Sequence, residues 1–346
     1  MKPPLTKGHG TVVPLFLSGG GKMGQLIREF DWTLSPLGSV SRWPQSLQSA
    51  LSICLNSNFP IAIYWGSELI LLYNDAWSPI PGSKHPWALG RPAREVWPEI
   101  WSAIEPQFQK AFNGEPGGSK DALLLMQRHG YTEECYFDFT FTPVYGEGGY
   151  VDGVFNAVIE TTYRVISERR SAFLKSLAIG VASAQSIERL FDEAMRFIAG
   201  DPKDVAFALL YTYENGEARL SASTVDAGKI AFKDQFFPFE QVASHGSSFY
   251  IGEVSDYLSK VPVDYWNEIP KEAIIVPLIN NSGATKGFLV CGLSSRLRFD
   301  EEYKLFIENI ANAIVNVSNN ITSLEAERKK AEALAEIDRA KTTFFS

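Results

Sequence analysis

The chain has 346 residues and a formal net charge of −8, from 32 Lys and Arg against 40 Asp and Glu. That length exceeds the about 250 residues at which single cores stop growing, so two domains are expected. A composition of 45% hydrophobic, 13% aromatic and 21% charged residues is globular rather than disordered, and the acidic balance leaves no basic patch for a nucleic-acid partner.

No apolar run reaches the roughly 20 residues of a membrane-spanning helix. The stretch Val12-Val13-Pro14-Leu15-Phe16-Leu17 is too short and proline-broken for a secretory signal. Cys54, Cys135 and Cys291 lie far apart, so neither a disulfide framework nor a zinc cluster is suggested. The sequence reads as a soluble, cytoplasmic protein without a membrane partner.

Residues 1–22 mix Pro, Gly, Thr and Lys without periodicity and read as a flexible leader. A helix begins near Met23, and a second is predicted from Pro44 to Asn56, where Leu47, Leu51 and Leu55 repeat every four residues. Strands follow over Pro60–Trp65 and Glu68–Tyr73, with Gly66-Ser67 as a tight hairpin turn. Glu95–Phe112 reads as one helix through Val96, Ile100, Ile104 and Phe108, provided Pro98 sits in its first turn. Three strands close this unit: Asp121–Gln127, Tyr131–Val144 and Tyr150–Glu160. In the middle one Cys135, Phe137, Phe139 and Phe141 alternate with polar neighbours. The order implies a five-stranded antiparallel sheet with helices on one face, an α+β fold.

Thr161 to about Ala184 is predicted helical and leads into a second sheet-and-helix unit. Its elements are helix Ile187–Ala199, strands Ala206–Tyr213 and Ala218–Thr224 around Asn215-Gly216, and strands Ala273–Leu278 and Lys286–Leu293. A long helix then runs from Asp300 to the end. In it Ile307, Ile310, Ile314, Val317, Ile321 and Leu324 step by heptad a/d spacing. That stripe either meets the same helix of a second copy in a parallel homodimer, or covers its own sheet.

Chemistry-bearing motifs are absent. Gly19-Gly20-Gly21-Lys22-Met23-Gly24 matches G-x-G-x-x-G, yet no Asp or Glu lies between Trp32 and Ser67 to hold a ribose. Phe16 and Met23 break the phosphate-loop pattern. The four histidines show no metal-binding spacing, and Gly246-Ser247-Ser248 is no nucleophile elbow. The sequence therefore offers no catalytic and no metal-binding residue, and it names no cofactor. What stands out is aromatic density in the first unit. Trp65, Tyr73, Trp97, Trp101 and Phe137 are the candidate lining of a small-molecule pocket, if they do not simply fill a core.

Tyr73-Asn74-Asp75-Ala76, Leu89-Gly90-Arg91-Pro92, Val96-Trp97-Pro98-Glu99-Ile100-Trp101 and the strand Gly153–Thr162 together resemble a PAS sensory domain over 23–165. Its leader, with Asp31-Trp32 and Trp43-Pro44-Gln45-Ser46-Leu47, is similar to the extension before this subtype in bacterial hybrid kinases. Ile275-Val276-Pro277-Leu278, Gly287–Gly292 and Arg298-Phe299-Asp300-Glu301-Glu302 resemble a GAF domain over 183–320, after a linker helix at 166–182. Finally, Ala335–Ser346 within a signalling helix (321–346) resembles the start of the dimerisation helix of a sensor histidine kinase, just before the phosphoacceptor histidine.

These resemblances imply two tandem sensor domains, PAS-like then GAF-like, each an antiparallel sheet with flanking helices, ending in a coiled-coil-type helix. The implied role is the sensory and dimerisation region of a two-component kinase, with an unidentified small-molecule signal and a response regulator reached through the kinase core. A ligand-free dimer scaffold, or a cyclic-dinucleotide cyclase or phosphatase output, stands as the alternative. Gly90-Arg91-Pro92-Ala93 lacks the cysteine of the photoreactive-flavin subtype, and Cys291 falls in a predicted core strand rather than at a bilin attachment point.

Overall fold

The computed structural model describes residues 14–226, 228–233 and 237–344, with side chains as far as Ile337. Residues 1–13 of the expected leader and the side chains of Asp338–Ser346 in the expected dimerisation segment lie outside the described residues. The chain divides between Ile166 and Ser167 into two units, each a five-stranded sheet with helices, and it ends in one long helix.

In the first unit Gly19, Gly20 and Gly21 have φ of 101°, 72° and 57°, a left-handed run open to glycine and costly for other residues. The turn delivers the chain into α1 (Gly21–Glu29), whose first free N–H groups, on Lys22 and Met23, donate to Asp75 Oδ2 and Oδ1 at 3.0 and 2.6 Å. The glycine-rich loop that imitates a dinucleotide fingerprint thus holds the protein's own carboxylate at a helix N-terminus. A Cβ on Gly21 would stand 1.9 Å from Asp75 Oδ2. Helix α2 (Gln45–Leu55) buries Leu47, Leu51 and Leu55, as the four-residue repeat requires.

Strands β1 (Ile61–Trp65) and β2 (Ile70–Tyr73) pair antiparallel, Trp65 opposite Ile70. The expected two-residue turn is a four-residue loop. Leu69 N donates back to Gly66 O at 3.0 Å, and both residues take positive φ, so Glu68 and Leu69 leave the strand. The helix expected over Glu95–Phe112 is two helices, α3 (Ala93–Val96) and α4 (Trp101–Phe112). Pro98 is the reason: its ring disfavours the helical region for the preceding residue, and Trp97 sits at φ −121°, ψ 44°. Strands β3 (Gly117–Gln127), β4 (Thr132–Tyr145) and β5 (Val151–Glu160) complete an antiparallel sheet of order β2-β1-β5-β4-β3.

Asn74, directly after β2 and 1% exposed, ties this unit together. Its Oδ1 accepts from the N–H groups of Ile61 (3.2 Å) and Trp77 (3.0 Å). Its Nδ2 donates to the carbonyls of Cys54, Ser57 and Phe59 at 2.7–3.1 Å. At the far end, Arg128 in the β3–β4 turn clasps Glu160, the last residue of β5, with Nη1 and Nη2 at 2.8 and 2.7 Å from its oxygens, while Nε reaches Glu133 at 2.7 Å. Burial alone would raise the Glu160 carboxyl, but the hydrogen bonds and charge of Arg128 outweigh it and hold it low.

Helix α5 (Thr162–Val181) carries the chain into the second unit, where Phe173, Leu177 and Val181 enter the core. Helix α6 (Ile187–Gly200) follows, its first turn capped by Ser186 Oγ, which accepts from Arg189 N. Strands β6 (Val205–Glu214) and β7 (Glu217–Ser223) are joined by Asn215 and Gly216, both at positive φ, the signature of a type I′ hairpin. After β8 (Ala231–Phe232), α7 (Phe239–His245), β9 (Phe249–Ile251) and β10 (Leu258–Lys260) come β11 (Ala273–Ile279) and β12 (Thr285–Leu293). The main sheet has the order β7-β6-β12-β11-β9, and β8 and β10 form a separate ribbon.

Both faces of that sheet are covered. Leu289, Cys291 and Leu293 of β12 face α5, α6 and the last helix, while Phe288 and Val290 join a second cluster with Val242 of α7. Burial on both sides explains why these strands read as continuous apolar runs rather than alternating ones.

The last helix, α8 (Glu301–Phe344), packs on β11 and α6. Of the heptad stripe, Ile307, Ile310, Ile314 and Ile321 are buried in the unit's own core and Val317 packs against it, whereas Leu324 is 66% exposed. Up to Ile321 the stripe therefore packs into the unit's own core, on the sheet face that α5 and α6 also cover.

Candidate functional site

The first unit contains a cavity of about 50 Å³ between the inner face of its sheet and the segments around α3 and α4. Strand alternation puts Phe137, Phe139 and Phe141 of β4 on this side, with Asn156 and Val158 of β5, and Tyr64 of β1 across from them. The Pro98 break exposes Trp97 and Ile100 to the cavity instead of to a continuous helix face. Trp77, in the turn after Asn74, is part of the wall.

The walls are aromatic and carry few polar atoms. Trp97 Nε1 donates to Tyr64 Oη at 3.2 Å. Asn156 Nδ2 donates to the Thr140 carbonyl at 3.1 Å. Burial pushes the Tyr64 phenol above its ordinary range, against the smaller opposing effect of the Trp97 bond, so it keeps its proton. The Trp77 indole N–H is buried and meets no acceptor among the described residues. The cavity is therefore a largely apolar, aromatic-walled space. Among the described residues its lining holds no Ser, Thr, Cys, His, Lys, Arg, Asp or Glu.

Of the five aromatic residues read as pocket lining, Trp97 and Phe137 line the cavity. Trp65 points to the other face of the sheet, its ring against Gly153, where a Cβ would stand 2.4 Å away. Tyr73 is fully buried behind the wall, its ring 4.7 Å from Trp77 and its hydroxyl 3.0 Å from His85 Nδ1. Trp101 stacks on Phe108 and lines an open groove of about 620 Å³ instead. The reading missed Tyr64 and Asn156. Asn156 carried a usable signal, a lone carboxamide in the otherwise apolar strand Val154–Ile159. Tyr64 carried none, since β1 is buried on both faces.

In the second unit a wider groove of about 850 Å³ lies beside β7, lined by Tyr211, Leu220, Phe237, Phe239 and Tyr257. On its helical side Asp204, just before β6, accepts from Arg169 Nε and Arg170 Nε of α5 at 2.9 and 2.8 Å. The Arg170 guanidinium lies 4.2 Å from the Tyr303 ring centre, and the Tyr303 hydroxyl donates to the Asp204 carbonyl. Among the described residues no group of three or more His, Cys, Asp or Glu is placed to hold a metal ion, and no helix is long and apolar enough to cross a membrane.

No family model matches the chain, and no curated protein matches it in sequence. Among solved structures it is similar to the GAF domain of an Acinetobacter phosphoenolpyruvate-protein phosphotransferase, at 17% identity and a TM-score of 0.35, over 46% of this chain and 95% of that one. The corresponding GAF domain from Coxiella burnetii gives 17% identity and 0.36, over 45% and 96%. The free methionine-R-sulfoxide reductase of Neisseria meningitidis, solved with its substrate, gives 15% and 0.32, over 45% and 91%. Likenesses this weak decide neither family nor function.

Proposed function

We propose that this chain is the sensory-input and dimerisation region of a cytoplasmic two-component histidine kinase. In this reading 23–165 is a PAS-like domain with a helical extension, 166–182 a linker helix, 183–320 a GAF-like domain and 321–346 the signalling helix into the kinase core. A small molecule in the first unit's cavity is the signal, and a response regulator is the downstream partner.

The observation that carries the reading is the two-part character of α8. Its first half is built into the second unit, while every side chain from Thr322 to Ile337 is exposed. A helix exposed on every side is only marginally stable alone in water, and Leu324, Ala331 and Leu334 recur at heptad steps of seven and three. The same helix of a second copy supplies the missing partner. The sequence motifs of the two sensor types, in series ahead of this helix, support the order of parts.

The test joins the chain in heptad register to a histidine kinase core and inserts one or seven residues between Glu327 and Arg328. Seven residues should preserve signal-dependent autophosphorylation, and one should abolish or invert it. The unfused chain should sediment as a dimer at micromolar concentration, and a chain ending at Ser323 as a monomer. A monomeric full chain, with autophosphorylation indifferent to both insertions, refutes the reading.

A further inference from the structure

Helix α8 carries a second stripe besides the one that packs into the core. Asn309, Asn312, Asn316 and Asn319 step by three, four and three, so they line one side of the helix, and Asn320 stands beside them. This side faces away from the core: Asn312, Asn316 and Asn320 are exposed, and Asn309 and Asn319 are half-buried. Among the described residues these five carboxamides make one hydrogen bond, from Asn319 Nδ2 to Asn281 Oδ1 at 3.0 Å.

Two features set the stripe apart from a solvated surface. Asparagine is a poor helix former, because its amide competes for backbone groups, and a face seen only by water is better served by Glu, Lys or Gln. Helix α8 follows that rule further on, where Glu325, Glu327, Arg328 and Lys329 are all exposed. From Asn309 to Leu324, by contrast, no residue is charged. Depletion of charge is the composition of a contact surface.

The amide also selects the partner. Asparagine carries donors and an acceptor on one group, so it is complementary to itself, and a parallel, in-register pair of helices sets each residue opposite its own copy. Asparagine at a seam of that kind fixes register and strand number at a cost in stability. The stripe faces the same way as apolar residues of the second half: exposed Leu334 and Ile337 lie about five whole turns beyond Asn316 and Asn319, respectively.

We infer that the side of α8 formed by Asn309, Asn312, Asn316 and Asn319 is a register-setting interface with the same helix of a second copy, each carboxamide pairing with its counterpart. The inference rests on the reading of α8 as the dimer helix and adds the contact that aligns the two copies. Affinity comes from the apolar residues beyond Ser323, and the amides select the alignment.

Asn316→Asp keeps the shape and helix propensity of the residue and is harmless on a solvated face. Opposite its own copy it sets two carboxylates against each other. The dimer dissociation constant of the full chain, from sedimentation equilibrium at pH 7, should then rise at least tenfold. Single substitutions Asn312→Cys and Asn316→Cys should also link two copies covalently under mild oxidation. Glu325→Cys, on the opposite side of the helix, should not, and the three native cysteines are buried.

The inference is overturned if Asn316→Asp leaves the dissociation constant within about twofold of the parent value, if Glu325→Cys links as readily as Asn312→Cys and Asn316→Cys, or if the full chain is a monomer. Both measurements are made with no kinase attached. A dimer that shows both effects yet regulates nothing sinks the signalling reading alone, and a regulated dimer that shows neither sinks this inference alone.

Discussion

Replacing Asn74 by Ala tests the structural logic of the first unit most directly. The carboxamide makes five hydrogen bonds, two as acceptor and three as donor. Their loss is unequal. Trp77 N still donates to the Asn74 carbonyl and the Cys54 carbonyl still accepts from Ser57 N, while water can reach the Phe59 carbonyl at its 44% exposed residue. The Ile61 N–H, in a residue 5% exposed, loses its side-chain acceptor. One stranded donor costs about 1–3 kcal/mol and the replaceable bonds about 0.5–1.5 kcal/mol each. Taken in the lower half of both ranges, they predict a loss of about 3–6 kcal/mol, or a fall of about 2 M in urea midpoint at an m-value near 2 kcal/mol/M.

The assay is intrinsic fluorescence during urea unfolding, because Trp266 is the sole one of the eight tryptophans outside the first unit. Asn74→Asp sharpens the test. It retains the acceptor but turns a carboxylate oxygen toward three carbonyl oxygens, so its folded pKa must rise above the unfolded value. The variant should then be least stable at neutral pH and recover as pH falls through that raised pKa. An Asn74→Ala loss under about 1 kcal/mol, with Asn74→Asp indifferent to pH, would refute the idea that this amide network holds the unit together.

Gly21→Ala should destabilise the first unit by about 1–3 kcal/mol, since a Cβ at positive φ meets Asp75 Oδ2; Asp75→Asn should cost less, and the two changes together less than their sum in the same urea titration. Asp204→Asn leaves Arg169 and Arg170 short of their shared carboxylate, and a loss of about 3–5 kcal/mol is expected, read as faster hydrogen exchange across α5 and the start of α8. Glu160 has a lowered folded pKa, so its contribution is present above the unfolded value and disappears as pH falls through the folded one. Acid titration should weaken the first unit in that window, and Arg128→Leu should remove that part of the pH dependence.

Much of the fold was legible because local signals agreed with it. The alternation in β4, the four-residue repeat in α2 and the Asn215-Gly216 turn each specify one local geometry, and the sheets follow. Where a residue acts through its neighbour, the sequence was silent. Pro98 sits near enough to a helix start to be absorbed into one, and only the Trp97 backbone shows that it divides two. The cavity was harder to read, because β1 is buried on both faces and the pattern Ile61–Trp65 does not say which of Tyr64 and Trp65 faces inward. Tyr64 does, and Trp65 packs on Gly153. The heptad in α8 was visible, but a spacing of 3.5 does not distinguish a partner helix from a sheet beneath.

The way α8 is seated limits how it can move. Ile307, Ile310 and Ile314 are each wholly enclosed, and close-packed side chains do not slide continuously past one another. A push along the axis would have to carry them a full turn, about 5.4 Å, before they met equivalent gaps again. A smaller axial step of about 1.5 Å fits only if the helix also turns by about 100°. Whatever is transmitted along this helix therefore travels as discrete screw steps or as tilt, and a graded piston stroke is the one motion its packing forbids.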